Sequence, residues 1–199
     1  MRHFNIPDPS LDSTRQMFKD LENDARVSKI DLGIGIYRDE KGEAPVFKAV
    51  KKAESILYLN EKSKSYKTPA GNSEYCKNIL DLVLGEDILS ERKDKVGAIQ
   101  IPGAGSGLRI AGELIKNNVQ NKLISIPDPT WGQQPFMFEK AGLKISKHTY
   151  YNEQNNFLDF DNMINDLNKL KSGDSLLLHG CCHNPTGADL SLEQWEQVA

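Results

Sequence analysis

Residues 102–107, between a predicted strand and a predicted helix, have the composition of an anion-binding turn. They read Pro-Gly-Ala-Gly-Ser-Gly, and glycine lets a backbone bend tightly and bring its N–H groups close to a ligand. The helix that follows adds unpaired N–H groups and the positive end of its dipole. We therefore predict a phosphate site in which Ser106 adds a hydroxyl donor. A tight turn that binds nothing is the alternative interpretation.

A second cluster, His-Gly-Cys-Cys-His-Asn-Pro-Thr-Gly at residues 179–187, follows another predicted strand. Neighbouring residues cannot easily direct two side chains to one metal ion, and the chain has no second C-x-x-C pair. A cysteine nucleophile is possible but lacks a family signature. We interpret Cys181 and Cys182 as small side chains buried at a strand end. Asn184 lies in a turn beyond a strand, where it can contact a ligand.

A third segment, Asp-Pro-Thr-Trp at residues 128–131, also follows a predicted strand. Taken alone, Trp131 is typical of a core residue, although its ring can also stack on an aromatic ligand. The three segments follow successive strands, and the carboxyl ends of parallel strands open into one crevice. A phosphate-binding turn, a flat ring and a polar amide together predict a phosphorylated aromatic ring as the ligand.

The same glycine turn is open to a second interpretation, in which it binds a dinucleotide. Asp128 ends the next strand, about where an acidic residue contacts a ribose hydroxyl. The glycine spacing is G-x-G-x-G rather than G-x-G-x-x-G, which disfavours this interpretation. An NAD-dependent oxidoreductase that uses residues 103–107 remains an alternative.

The elements that must position these residues alternate between strand and helix from about residue 96. Apolar periodicity predicts strands at residues 96–101, 122–126, 144–151 and 175–180, and helices at residues 108–116, 135–142 and 159–173. Strands separated by single helices predict an α/β fold with a mostly parallel sheet flanked by helices.

The first part of the chain has a different pattern. We predict helices at residues 11–25, 46–59 and 72–85, and a strand at residues 30–37. Residues 60–72 have the composition of an exposed polar loop. We predict an N-terminal segment of a small domain at residues 1–45, and the first part of a larger domain at residues 46–199. Ser191 and Gln194 form a capping box for a last helix, and we expect the parent protein to continue beyond it.

Composition excludes several classes of protein. With 38% hydrophobic and 27% charged residues the chain is a globular type, and its net charge of −3 gives no reason to expect nucleic acid. No apolar run approaches the length of a membrane helix, and the first residues lack the apolar region of a secretion signal. The three cysteines are an odd count with two adjacent, which disfavours a disulfide framework and indicates the cytoplasm.

Five segments of the chain resemble class I aminotransferases of the aspartate and aromatic amino acid subgroup. They are LGIGIY, NEKSKSYKTPAGN, PGAGSGLR, PDPTW and HGCCHNPTG, the last followed by LEQW. The resemblance extends over essentially the whole chain in the right order. It implies the large domain of the fold type I pyridoxal phosphate (PLP) transferases, present in part, and a homodimer with active sites at the subunit interface. It also implies amino-group transfer between aspartate or an aromatic amino acid and a 2-oxo acid such as 2-oxoglutarate.

The resemblance further implies roles for individual residues. The phosphate turn corresponds to Gly103, Ala104 and Gly105. The cofactor ring would be contacted by Trp131, by Asn184 at the phenolic oxygen, and by His179 from behind. Gly35 corresponds to a glycine whose backbone meets the substrate carboxylate, with Trp131 and Asn184 also near the substrate. Tyr66 corresponds to a tyrosine that reaches the cofactor phosphate of the neighbouring subunit.

Two positions depart from the family pattern, and one catalytic group is not found. Gly105 stands where the family often has threonine, and Gln134 stands where it often has a histidine that supports the aspartate at the pyridine nitrogen. No lysine matches the serine-rich motif around the Schiff-base lysine, so we expect that lysine beyond Ala199 and no catalytic residue in this chain. The chain alone is then expected to be inactive, and a non-catalytic fragment that only pairs with a partner is the remaining alternative.

Overall fold

The computed structural model describes residues 13–31, 33–66, 68–92 and 94–199. The chain falls into two compact units, Met1–Ser65 and Tyr66–Ala199. The sequence-based boundary between residues 45 and 46 concerns the domains of the family fold and stays a prediction. No helix in the described ranges combines the length and the apolar character needed to cross a membrane.

The first unit contains two of the predicted helices, α1 at Ser13–Asn23 and α2 at Lys48–Asn60. The prediction of a strand at residues 30–37 is wrong, because the described residues of this segment form none. The segment makes a local bond instead, from the N–H of Ile36 to the carbonyl of Ile34 at 3.0 Å. Apolar alternation alone does not make a strand, since its backbone groups need a partner strand for their hydrogen bonds.

The second unit alternates helices and strands, as the periodicity predicted. Its elements are α3 (Ser73–Arg92), α4 (Ala104–Asn118), β1 (Leu123–Asp128), α5 (Gln133–Ala141), β2 (Lys144–Thr149), β3 (Tyr151–Asn152), β4 (Phe157–Leu158), α6 (Phe160–Leu167), β5 (Ser175–Leu176) and α7 (Leu192–Val198). α3 is interrupted at Gly85, whose φ of 76° lies in the left-handed region that glycine tolerates.

A three-stranded parallel sheet forms the centre of this unit, in the order β2-β1-β5. Strands β3 and β4 form a separate antiparallel pair. β1 is buried along four consecutive residues, as expected of a central strand covered on both faces. The predicted α/β fold with a parallel sheet flanked by helices is confirmed.

The hydrophobic core lies between β1 and helices α4 and α5. Ile124, Ile126, Phe138 and Leu143 are buried together, and Leu108, Ile115, Ile145 and Leu177 pack against them. α4 and α5 approach closely at Gly112, where an added methyl would lie 2.7 Å from Cβ of Ala141. The absence of a side chain at Gly112 therefore allows the close approach of the two helices.

The ends of the elements follow the predicted signals in some places and not in others. Gly142 ends α5 in the left-handed conformation, with φ of 91°. Ser191 and Gln194 form the predicted capping box of α7. The predicted strand at residues 96–101 is wrong: the segment is irregular, and the N–H of Gln100 bonds the carbonyl of Ala70 at 2.9 Å.

Candidate functional site

The glycine turn leads directly into α4, with Gly103 at the N-cap position. No side chain caps this end, and the first turn of the helix carries no acidic residue. An added methyl at Gly103 would meet no atom within 4 Å. Gly103 and Ala104 are exposed, so the uncapped start of the helix lies at the surface with its positive dipole end, which is the arrangement that binds anions.

Ser106 does not extend this set of donors in the conformation observed. Its Oγ donates a hydrogen bond to the carbonyl of Gly103 at 2.7 Å. The single hydroxyl hydrogen is therefore used inside the turn in this conformation, and a contact of Ser106 with a phosphate stays a prediction. The donors available to an anion are the backbone N–H groups.

Trp131 lies in the short connection between β1 and α5. It is partly buried, and its carbonyl accepts a hydrogen bond from the N–H of Gln134 at 2.9 Å, which begins the helix. Within α5, Met137 faces the glycine turn, because its Cε would be 3.4 Å from a methyl added at Gly105. Helix α5 thus joins the Trp131 connection to the N-terminus of α4.

Gln134 joins the same helix to the loop that follows β5. Its side chain is buried and contacts Nε2 of His179 with its amide nitrogen at 2.9 Å and its Oε1 at 3.2 Å. The hydroxyl of Thr130 also donates to this amide oxygen. His179 in turn accepts the N–H of Asn184 on Nδ1 at 3.1 Å. Two of the predicted site segments, residues 128–131 and 179–187, are therefore connected through Gln134 by short contacts.

The histidines of this loop are stacked on a buried tyrosine. The ring centroids of Tyr150 and His183 are 3.8 Å apart, and those of His179 and His183 are 4.5 Å apart. Burial, together with the neighbouring His179, lowers the pKa of His183 to about 4. Burial also lowers the pKa of His179, although the carboxylate of Asp189 opposes this shift. Both rings are neutral near pH 7.

Asp189 holds the backbone of the loop, a role that the sequence did not indicate. Its two carboxylate oxygens accept the N–H groups of Cys182 and His183 at 2.7 and 2.8 Å. These bonds lower the pKa of the Asp189 carboxyl. The sequence also gave no signal for Tyr150, which lies between β2 and β3 and whose hydroxyl donates to the carbonyl of Ala188 at 2.7 Å. An acidic residue shortly after a turn is the signal that could have identified Asp189.

The structure gives less information about the other residues that the sequence analysis singled out. Gly35 belongs to the first unit and is exposed, with no atom within 4 Å of an added methyl. Tyr66 begins the second unit and is 95% exposed. Asp128, proposed for a ribose hydroxyl, instead forms an ion pair with Lys147 at 3.1 Å. Cys181 and Cys182 are both exposed, so their interpretation as small buried side chains is wrong.

Comparisons with known proteins agree on one family. Residues 27–199 match the family Aminotransferase class I and II. The chain is 40% identical to aspartate aminotransferase of Escherichia coli (strain K12) over 176 residues, which are 88% of this chain and 44% of that protein.

Solved structures agree with the sequence relatives. An aromatic amino acid aminotransferase from Burkholderia cenocepacia J2315 superposes with a TM-score of 0.88 at 32% identity, covering 99% of this chain and 49% of that one. An aromatic-amino-acid aminotransferase from Burkholderia pseudomallei, covalently bound to pyridoxal phosphate, gives a TM-score of 0.85 at 31% identity, covering 99% of this chain and 48% of that one.

These matches extend over nearly the whole chain, which spans about half the length of the relatives it matches. The described fold is that of the fold type I PLP transferases, and the motifs on its strand ends are those of the aspartate and aromatic aminotransferases. The chain belongs to the aminotransferase class I and II family.

Proposed function

We propose that this chain supplies part of the cofactor site of an aminotransferase. The enzyme would transfer the amino group between aspartate or an aromatic amino acid and a 2-oxo acid such as 2-oxoglutarate, with pyridoxal phosphate as cofactor. The observation that carries the proposal is the position of α5, which has Met137 beside Gly105 and Gln134 against His179. Helix α5 thereby links the uncapped N-terminus of α4 to the polar loop that contains Asn184.

The residues at the N-terminus of α4 fit a phosphate group. The N–H groups at Gly103, Ala104 and Gly105 are not capped by a side chain, and no acidic residue lies in the first turn. A dianionic phosphate gains both hydrogen bonds and the favourable helix dipole at such a terminus. With Ser106 bonded back to Gly103, the backbone supplies the phosphate contacts.

Three side chains fit the ring of the cofactor. Trp131 offers a flat aromatic face, and the amide of Asn184 offers a hydrogen-bond donor for the phenolic oxygen. His179 fixes the backbone of Asn184 and so orients that amide. When bound, pyridoxal phosphate serves as the electron sink for the substrate carbon that loses its proton. These three residues bind and orient the ring for that chemistry.

Two further residues complete the proposal from the family resemblance. Gly35 would meet the substrate carboxylate through its backbone, and Tyr66 would reach the cofactor phosphate of the other subunit in a homodimer. Tyr66 is exposed over 95% of its surface, so its ring is accessible to a partner. A cytoplasmic location, indicated by the cysteine content, is part of the same proposal.

Tryptophan fluorescence tests the proposed ring contact directly, because pyridoxal phosphate absorbs where tryptophan emits. The chain has two tryptophans, Trp131 and Trp195. We expect pyridoxal phosphate to quench emission in the wild type and in Trp195→Phe, and to lose most of this effect in Trp131→Phe. Equal quenching in both variants would remove Trp131 from the site.

A second experiment tests the phosphate turn. Ala104→Asp places a negative charge at the N-terminus of α4 and should weaken pyridoxal phosphate binding about tenfold. Asn117→Asp adds the same charge near the other end of the helix and should leave binding unchanged. Pyridoxal, which lacks the phosphate, should bind all three proteins with the same weak affinity. Equal effects of the two aspartates on pyridoxal phosphate would contradict a phosphate site at this turn.

The absence of a matching lysine leads to a separate expectation. Lys62 and Lys64 lie in an exposed polar segment, and the lysines of this chain have no resemblance to the family's cofactor lysine. Borohydride reduction of the 199-residue chain with pyridoxal phosphate should therefore label no single lysine stoichiometrically. Stoichiometric labelling of one lysine, located by peptide mapping, would contradict this part of the proposal and would also argue against a non-catalytic fragment.

A further inference from the structure

Two free thiols lie side by side in the loop that follows β5. Cys181 and Cys182 are both exposed and unpaired, whereas Cys76 is buried. Neither thiol has a place in the proposed cofactor contacts, which use the residues on either side of them. Two adjacent accessible thiols are a potential chelating pair for a soft, thiophilic atom.

The backbone of this pair is held in an uncommon conformation. Cys182 has φ of 53°, in the left-handed region that a residue with a Cβ rarely adopts. The Asp189 carboxylate maintains it by accepting the N–H groups of Cys182 and His183 at 2.7 and 2.8 Å. Because these hydrogen bonds fix the backbone of the loop, binding a ligand orders only the two short cysteine side chains, which favours chelation.

The charged and polar groups near Cys182 disfavour its thiolate form, and so disfavour ligands that bind only thiolates. The Cys181 side chain, acting as a hydrogen-bond partner and then as a like charge, raises the pKa of the Cys182 thiol, and Asp189 raises it further. The Cys182 thiol is therefore a weaker acid than an ordinary cysteine. Divalent metal ions and alkylating reagents react with the thiolate. A reagent that carries its own basic group can remove the thiol protons itself.

The number of ligand atoms also limits what this pair can bind. Within residues 13–31, 33–66, 68–92 and 94–199, no three histidine, cysteine, aspartate or glutamate side chains are arranged to hold a metal ion. The pair can therefore supply two sulfurs and no third protein ligand. Trivalent arsenic with one organic substituent needs three bonds, and its own carbon provides one of them.

We propose that Cys181 and Cys182 form a binding site for a monosubstituted trivalent arsenical, with both sulfurs bonded to one arsenic atom. In the hydrated form, R–As(OH)2, two arsenic–oxygen bonds break and two arsenic–sulfur bonds form. Each thiol proton leaves with a hydroxide as water, so two water molecules are released. Neither arsenic nor sulfur changes its oxidation state, and no other reactant is needed.

The chelate should be much tighter than either sulfur alone. After the first sulfur bonds, the second is already adjacent, so its reaction becomes intramolecular with a high effective concentration. Such a second contact strengthens binding by about 100-fold or more. Removing either cysteine should therefore abolish stable binding, even though one thiol remains.

Phenylarsine oxide is the probe for this site, used with the reduced 199-residue chain. Native mass spectrometry should detect one phenylarsenic group per chain with the loss of two hydrogens, and peptide mapping should locate it on the segment that contains both cysteines. Cys181→Ser and Cys182→Ser should each weaken binding at least about 100-fold. Cys76→Ser is the matched control and should bind as the wild type does. Circular dichroism should verify that each variant is folded.

A second measurement on the wild type keeps the test independent of the variants. A stoichiometric dithiol should release the bound arsenic, whereas a large excess of a monothiol should not. Release by the monothiol, an adduct that links two chains, or unchanged binding in Cys181→Ser or Cys182→Ser would each overturn the proposal. None of these outcomes depends on pyridoxal phosphate, so the proposal stands or falls separately from the aminotransferase function.

Discussion

The backbone N–H of Asn184 donates a hydrogen bond to Nδ1 of His179 over 3.1 Å. Since a backbone amide can only donate, Nδ1 must be unprotonated, and the single proton of the neutral ring must lie on Nε2. That nitrogen lies 2.9 Å from the amide nitrogen of Gln134 and 3.2 Å from its Oε1. The bond from Asn184 thus defines the tautomer of His179, and of the two amide atoms only Oε1 can accept the ring proton.

The first prediction concerns this acceptor. Gln134→Leu leaves the Nε2–H of His179 and the hydroxyl of Thr130 without their partner in a nearly buried position. We expect the free energy of unfolding to fall by about 1–3 kcal/mol, measured by urea denaturation. Gln133→Leu, at an exposed neighbouring position of α5, is the control and should change stability little. Equal stability of the two variants would contradict the hydrogen-bonded arrangement.

The second prediction is a loss of stability on mild acidification. Burial lowers the pKa of His148 to about 4 in the folded chain, whereas the unfolded residue has its ordinary value near 6.5. Between these values the unfolded chain binds more protons, so the free energy of unfolding falls as pH falls. The full stability is present above the unfolded pKa, and His183 contributes in the same direction and range.

His148→Gln tests the contribution of one ring. The variant keeps a polar partner for Ser125, whose Oγ lies 3.0 Å from Nδ1 of His148, but cannot titrate. Between about pH 7 and about pH 5 it should lose less stability than the wild type, by an amount on the order of 1 kcal/mol. Lys144→Gln, at an exposed position of the same strand, should retain the wild-type pH dependence. Identical pH profiles for the wild type and His148→Gln would count against the buried neutral ring.

The third prediction compares two glycines of α4. Gly112→Ala should destabilise the chain by about 1–3 kcal/mol through overpacking, because its methyl would lie 2.7 Å from Cβ of Ala141. Gly105→Ala meets only Met137 Cε at 3.4 Å and should be neutral or stabilising by up to about 1 kcal/mol, as alanine favours a helix. Thermal denaturation of both variants shows whether packing or helix propensity determines the change in stability at each glycine. A stabilised Gly112→Ala would mean that the two helices separate readily.

The fourth prediction concerns Tyr150, which contacts the loop at residues 179–189. Its hydroxyl donates to the carbonyl of Ala188 at 2.7 Å, and burial raises its pKa to about 12. Tyr150→Phe keeps the ring stacked on His183 but removes this bond, and should lower the free energy of unfolding by about 1 kcal/mol. Tyr151→Phe is the adjacent control. If both variants unfold at the same urea concentration, the Tyr150 bond contributes nothing measurable.

Much of the second unit could be predicted from local patterns. The strand at Leu123–Asp128, the helix that ends at Gly142, and the capping box of Ser191 and Gln194 follow from periodicity and caps. These signals depend on residues within about four positions of one another. The glycine turn before α4 was predicted for the same reason, since the conformational freedom of glycine is a property of the residue itself.

Two predicted strands and one burial assignment were wrong because each depends on tertiary contacts that a local pattern does not record. Residues 30–37 have a strand-like pattern and residues 96–101 are a short apolar run, but neither forms a strand among the described residues. A strand exists only where another strand accepts its hydrogen bonds. Cys181 and Cys182 have a composition typical of a buried strand end, yet the loop turns them outward.

The amino-acid sequence by itself therefore determined the local elements, the glycine turn at the start of α4 and the family resemblance. Only the tertiary structure decided that Gln134 contacts His179, 45 positions away, and that Asp189 holds the loop that carries both exposed thiols. The physical reason is that contacts between distant residues depend on how helices and strands pack. Packing in turn depends on side-chain volumes, such as the missing methyl at Gly112, which no short-range pattern records.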